Sequence, residues 1–190
     1  MLKHNYDRSF IARVACTTPG YEGYLDCARL AIKDGQAARV ADDWMIVTSM
    51  LAREPHYFWF RCLFDASIGR PYYDIQSWSR RSGRDFNSRK RHLDCSYNGF
   101  PGLYAETPED QRLWKVMTLQ DGRFASMTSI VEVGQKIDAR IRTRSNLDLQ
   151  AVDRRRVGDQ WFASAATGGG QALDLCLEIT HIGEELLDDH

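Results

Sequence analysis

"DGRFASMTSIVEVGQKIDARI" (121–141) has a near-echo in "WFASAATGGGQALDLCLEI" (161–179). Both run Phe-Ala-Ser, then small and polar residues with Gly, then an apolar residue followed by Asp. Two further segments have the same build: "SFIARVACTTPGYEGYLDCA" (9–28) and "YFWFRCLFDASIGRPYYDIQ" (57–76). The pairs are Phe10 with Asp26, Phe60 with Asp74, Phe124 with Asp138 and Phe162 with Asp174, separated by 16, 14, 14 and 12 residues. Aromatic and β-branched residues around a Gly read as two short strands about a turn.

A second marker recurs between these segments, an Asp or Asp-Gln shortly before Trp: "ADDWMIVTS" at Trp44, "EDQRLWKVMTL" at Trp114 and "GDQWFASAA" at Trp161. Three such markers predict three copies of a four-strand unit, about 9–57, 58–122 and 123–190, within one domain. The Asp that matches Trp114 is either Asp74 or Asp94. Both registers place an insertion of roughly twenty residues in the second copy. One copy cannot bury its own apolar face, whereas three around a pseudo-threefold axis can, and closing the sheet removes its edges. The expected architecture is an all-β β-trefoil, with Trp44, Trp114 and Trp161 as equivalent core residues. The alternative is an α+β fold with helices within 22–54, because Ala37, Val40, Ala41, Trp44, Val47 and Leu51 recur at helical spacing.

Leu-Asp after a Gly turn, with Gln before Trp further along, resembles the ricin-B-type β-trefoil lectins. The resemblance implies carbohydrate binding without catalysis and without a cofactor. In that family an Asp accepts sugar hydroxyls, an aromatic ring stacks on the sugar, and a Gln near the Trp supports the site. Carried onto this chain, the middle copy offers Asp94, Tyr104 and Gln111, with Asp110 beside Gln111 and Asn98 as a helper. The first copy offers Asp26, with Asp43 and Arg39 nearby but no aromatic platform. The third offers Asp138 and Gln160, with Leu147 and Leu149 where an aromatic is wanted. The chemistry is reasonable, since vicinal hydroxyls suit a carboxylate and the apolar ring face suits an aromatic. Each such site is shallow, so repetition adds avidity.

The stretch "SRRSGRDFNSRKRH" (79–92) carries Arg80, Arg81, Arg84, Arg89, Lys90 and Arg91 among aromatics. It reads as a solvated loop or as a patch for an anionic polymer such as nucleic acid or a sulfated glycan. A third reading is a protein-binding trefoil that uses its loops. The partners expected are therefore glycans or glycoproteins, with another protein as the alternative and a homodimer compatible with the sequence.

The remaining totals narrow the field. Formal charge is −1 from 25 basic and 26 acidic residues, so there is no global pull toward polyanions. The five Cys have no CxxC spacing and are odd in number, against zinc chemistry or a full disulfide framework. No HExxH, GxSxG, P-loop or GxGxxG occurs. No apolar run approaches the ~18 residues that span a bilayer. The polar start "MLKHNYDRSF" lacks an apolar signal core, giving the expectation of a cytoplasmic protein or one released without a classical signal peptide.

Overall fold

The structure is a computed structural model that describes residues 2–34, 36–50, 56–78, 91–105 and 113–183. Its regular elements are all strands apart from one 3-10 turn at Tyr6–Arg8. In chain order they are β1 (Leu2–His4), β2 (Phe10–Cys16), β3 (Gly23–Lys33), β4 (Gln36–Thr48) and β5 (Tyr57–Asp65). There follow β6 (Arg70–Ser77), β7 (His92–Cys95), β8 (Pro101–Tyr104), β9 (Leu113–Gln120) and β10 (Arg123–Ser126). The last are β11 (Lys136–Thr143), β12 (Gln150–Val157), β13 (Gln160–Ala166), β14 (Gln171–Ala172) and β15 (Leu175–Ile182).

Every pairing is antiparallel, and nine strands form a closed barrel, β2-β15-β11-β9-β6-β7-β8-β4-β3 and back to β2. Strand β5 bonds to both β2 and β6, which gives a shorter circuit of six strands, β2-β15-β11-β9-β6-β5. Directions cannot alternate around one straight cylinder when the number of antiparallel pairings is odd. The nine-strand path therefore has to bend where the hairpins leave the six-strand wall. Those hairpins, β3–β4, β7–β8 and β12–β13, are tied to one another by the β4–β8 and β4–β13 pairings.

Side-chain alternation explains the core, because successive residues of a strand face opposite sides. Phe10, Ala12, Val14 and Cys16 of β2 point inward with Phe58, Phe60 and Cys62 of β5, Tyr73 and Ile75 of β6, and Leu175, Leu177 and Ile179 of β15. Phe10 and Phe60 stack with ring centroids 4.8 Å apart, and Tyr73 meets both rings edge-on.

Among the described residues of 22–54 there is no helix. Residues 23–48 are two long strands in register from Tyr24 opposite Thr48 to Lys33 opposite Gln36. The helical spacing of small apolar residues there is overridden by cross-strand pairing. It is also confused by a bulge, where the register skips between Cys27 and Ala28 and passes over 42–44 in the ladder with β3.

The three Trp side chains are not equivalent. Trp114 on wall strand β9 is 2% exposed and donates Nε1–H to the Leu93 carbonyl at 2.8 Å. Trp161 on hairpin strand β13 is buried and packs edge-on against Tyr21. Trp44 on β4 is 48% exposed. Alternation decides this, because Met45 and Val47 point into the core, so Trp44 must point out.

Candidate functional site at the beta4, beta8 and beta7 face

On β8, Gly102 pairs with Trp44 of β4 on one side and with Asp94 of β7 on the other. Cross-strand partners face the same side of a sheet, so the Trp44 side chain and the Asp94 carboxylate flank a residue that has none. The indole occupies the vacated space: a Cβ on Gly102 would lie 3.1 Å from Cε3 of Trp44. Tyr104, two residues along β8, pairs with His92 and is a diagonal neighbour of Asp94 on the same face. Its hydroxyl pKa is raised by burial, then by the Asp94 carboxylate and the Cys95 thiol. The result is a half-exposed aromatic ring, a carboxylate and a phenol on one sheet face.

Asp94 also borders a cavity of about 590 Å³. It is lined by Ser96, Tyr97 and Gly99 of the β7–β8 turn and by Thr143, Arg144, Ser145 and Leu147 around the β11–β12 turn. Trp114, Leu113 and Thr167 complete it. The Tyr97 ring is fully exposed and Leu147 half-exposed at the rim. Thr167 fastens the first turn, its backbone N–H and its hydroxyl both donating to the Gly99 carbonyl at 2.8 and 3.1 Å. Lys115 fastens the second, donating to the Arg144 carbonyl at 2.8 Å and to Asn146 Oδ1 at 2.6 Å. The volume suits a small ligand.

The other residues singled out from the sequence are dispersed. Asn98 is exposed at the tip of the β7–β8 turn. Gln111, with Asp110, lies outside the described residues, as do Arg80, Arg81, Arg84, Arg89 and Lys90. Arg91 is described, and burial lowers its guanidinium pKa while the Asp74 carboxylate opposes that shift. The Ser77 N–H donates to the Arg91 carbonyl and the Arg91 N–H to the Tyr104 carbonyl, which ties Arg91 between β6 and β8. Asp138 is exposed on β11 opposite Cys176, whereas Gln160 on β13 accepts from the Ser49 hydroxyl at 3.1 Å.

Asp26 is 5% exposed, and both carboxylate oxygens are held by Arg39, Oδ1 by Nη2 at 2.6 Å and Oδ2 by Nε. Its carboxylate also lies 3.5 Å from His56 Nδ1, and His56 Nε2 is 3.1 Å from the Ser77 hydroxyl. This acid, imidazole and hydroxyl line has the residue order of a hydrolytic triad. With Ser77 itself 5% exposed, the line ties β3 to β6 rather than presenting an open nucleophile. Asp74, fully buried on β6, is likewise engaged, accepting from Gln76 Nε2 at 2.8 Å and lying 3.0 Å from His92 Nδ1.

Trp44 was missed as a site residue, since a Trp among Met, Ile and Val reads as core. The single signal available was the polar Asp42-Asp43 pair before it. Nothing in the sequence places Gly102 opposite Trp44.

Comparison with protein-family models, with curated proteins and with solved structures gave no match. The class defined by the structure is thus the all-β closed barrel. Among the described residues, no helix is long and apolar enough to cross a membrane, and no group of three or more His, Cys, Asp or Glu is placed to hold a metal ion.

Proposed function

We propose that the protein is a non-catalytic, carbohydrate-binding β-trefoil whose glycan site is the face carrying Trp44, Asp94 and Tyr104. The fold part of this reading is supported by the six-strand circuit and by the three hairpins joined through β4, an arrangement a trefoil requires. In this reading the units divide after β5 and after β10, later than the Phe…Asp spacing suggested for the first boundary.

The observation that carries the binding part is the half-exposed indole laid over Gly102 beside Asp94. A sugar ring presents an apolar C–H face to the indole, and its vicinal hydroxyls donate to the Asp94 carboxylate. Tyr104 borders the same ring and supplies a hydroxyl at the other edge. The platform is Trp44, from a neighbouring hairpin, with Tyr104 as its companion.

A glycan array followed by calorimetry on the best neutral ligand tests this. Trp44→Ala and Asp94→Asn should each weaken binding by at least about tenfold, roughly 1.4 kcal/mol. An array silent for all glycans, or binding indifferent to both substitutions, refutes the reading.

A further inference from the structure

Strand β6 offers one edge to two partners. β5 pairs along its whole length, so β7 and β9 share the other edge. Gln76 pairs with His92 of β7, whereas Asp74, two residues back, already pairs with Leu113 of β9. Running antiparallel to β6, β7 heads into the space that β9 occupies and has to peel away. The cavity beside Asp94 is the wedge left by that divergence. Asp94 and Cys95 line it from β7, and Leu113 and Trp114 from β9. The bond from Trp114 Nε1–H to the Leu93 carbonyl ties the two strands together where they part. Strand pairing opens this wedge, so it is present before any ligand arrives.

The lining of the wedge combines a bare aromatic ring with hydroxyls. Tyr97 contributes the ring, which is fully exposed. Ser96 Oγ accepts from the Phe100 N–H at 3.1 Å, which leaves its own proton to donate. Ser145 Oγ lies 3.0 Å from Thr143 Oγ1; one of the two donates to the other, and the acceptor keeps its proton for a ligand. A ring beside hydroxyls suits a ligand with an apolar face and polar edges, which is how a sugar is built. A wholly apolar ligand would cover these hydroxyls without pairing them. Asp94 belongs to both places: it stands across Gly102 from Trp44, and it lines the wedge. The Cys95 N–H donates to Asp94 Oδ1 at 2.7 Å and so fixes the carboxylate at the junction.

Resting on the carbohydrate reading above, we infer that the ligand is an oligosaccharide of two or more residues, read by two adjoining subsites. One ring lies on Trp44. The next enters the wedge, stacks on Tyr97 and exchanges hydrogen bonds with Ser96 and Ser145. Asp94 is the contact that both rings share. The sheet face alone is shallow, and the wedge adds the enclosed contacts that a single sugar cannot reach.

The test is calorimetry on the full chain with the monosaccharide, disaccharide and trisaccharide forms of the best neutral ligand from the array. The two longer forms should bind about tenfold more tightly than the monosaccharide. That increment should vanish in the Tyr97→Ala/Ser145→Ala double variant, whose two side chains are exposed, so that the fold is kept. Equal binding at all three lengths overturns this inference and leaves the carbohydrate reading standing. So does an increment that survives the double variant, or a double variant that weakens monosaccharide and disaccharide alike. Failure of every saccharide to bind overturns both.

Discussion

The Trp44 indole rests on Gly102, so close that a Cβ there would meet Cε3 at 3.1 Å, Cζ3 at 3.3 Å and the Asp43 carbonyl oxygen at 3.3 Å. Gly102→Ala therefore lifts the ring off the sheet instead of deleting it. Sugar affinity should drop by about tenfold (1.4 kcal/mol), and stability should fall by about 1 kcal/mol. Calorimetry and urea unfolding on the same sample separate the two effects. An unchanged affinity would show that the ring's seat is irrelevant to binding.

Trp44 and Trp114 should respond to truncation with very different losses of stability. Trp114→Ala removes a buried indole and its bond to the Leu93 carbonyl, at a cost of about 3–5 kcal/mol. Trp44→Ala removes a half-exposed ring and should cost about 1 kcal/mol or less. Urea midpoints measure both. Equal losses would restore the equivalence that the sequence suggested.

Asp26→Asn should lower stability by about 3 kcal/mol and leave glycan binding unaltered. The reason is that the substitution leaves the partly buried Arg39 guanidinium without its counter-charge. Chemical denaturation with a parallel binding titration is the check. A stable variant that has lost sugar binding would return Asp26 to the list of ligand contacts.

Alkaline pH should loosen the fold through its buried thiols. Burial pushes the pKa of both Cys62 and Cys95 up to about 11 from an ordinary value near 9. A raised folded-state value means that these thiols add stability in full below pH 9 and lose it as pH rises toward 11. For Cys62, with no exposed surface, the loss across that window is on the order of 1–3 kcal/mol. Unfolding midpoints at pH 8 and pH 10.5 should differ accordingly, and Cys62→Ala should show a shallower pH slope. A flat profile in both proteins would contradict the assignment.

The all-β class was legible because it depends on local pattern: Phe10, Ala12, Val14 and Cys16 alternate whatever the rest of the chain does. The Asp94 and Tyr104 juxtaposition was half legible, since both stand in one short hairpin. Other features depend on which strands meet. Trp44 faces Gly102 because β4 pairs with β8, and no spacing along the chain encodes a pairing 58 residues apart. Asp26 reads as a ligand contact from its spacing, and the bond that Arg39 makes to its carboxylate from across the same hairpin has no signal in the sequence. The helical spacing in 37–51 misled because a bulge breaks the period-2 signal where it would have been read.

The pairing of β2 with β15 has a consequence for how the chain comes to be made. Phe10–Cys16 leaves the ribosome long before its neighbour Leu175–Ile182, because nearly the whole barrel lies between them in the chain. Until that neighbour emerges, one flank of β2 has no native partner, and its Phe10, Ala12 and Val14 side chains lack part of their cover. Contacts separated by so much chain form slowly. The wall is sealed last at the seam between its oldest and youngest strands, so a nascent polypeptide lacking β15 is the species that a chaperone or a protease would meet.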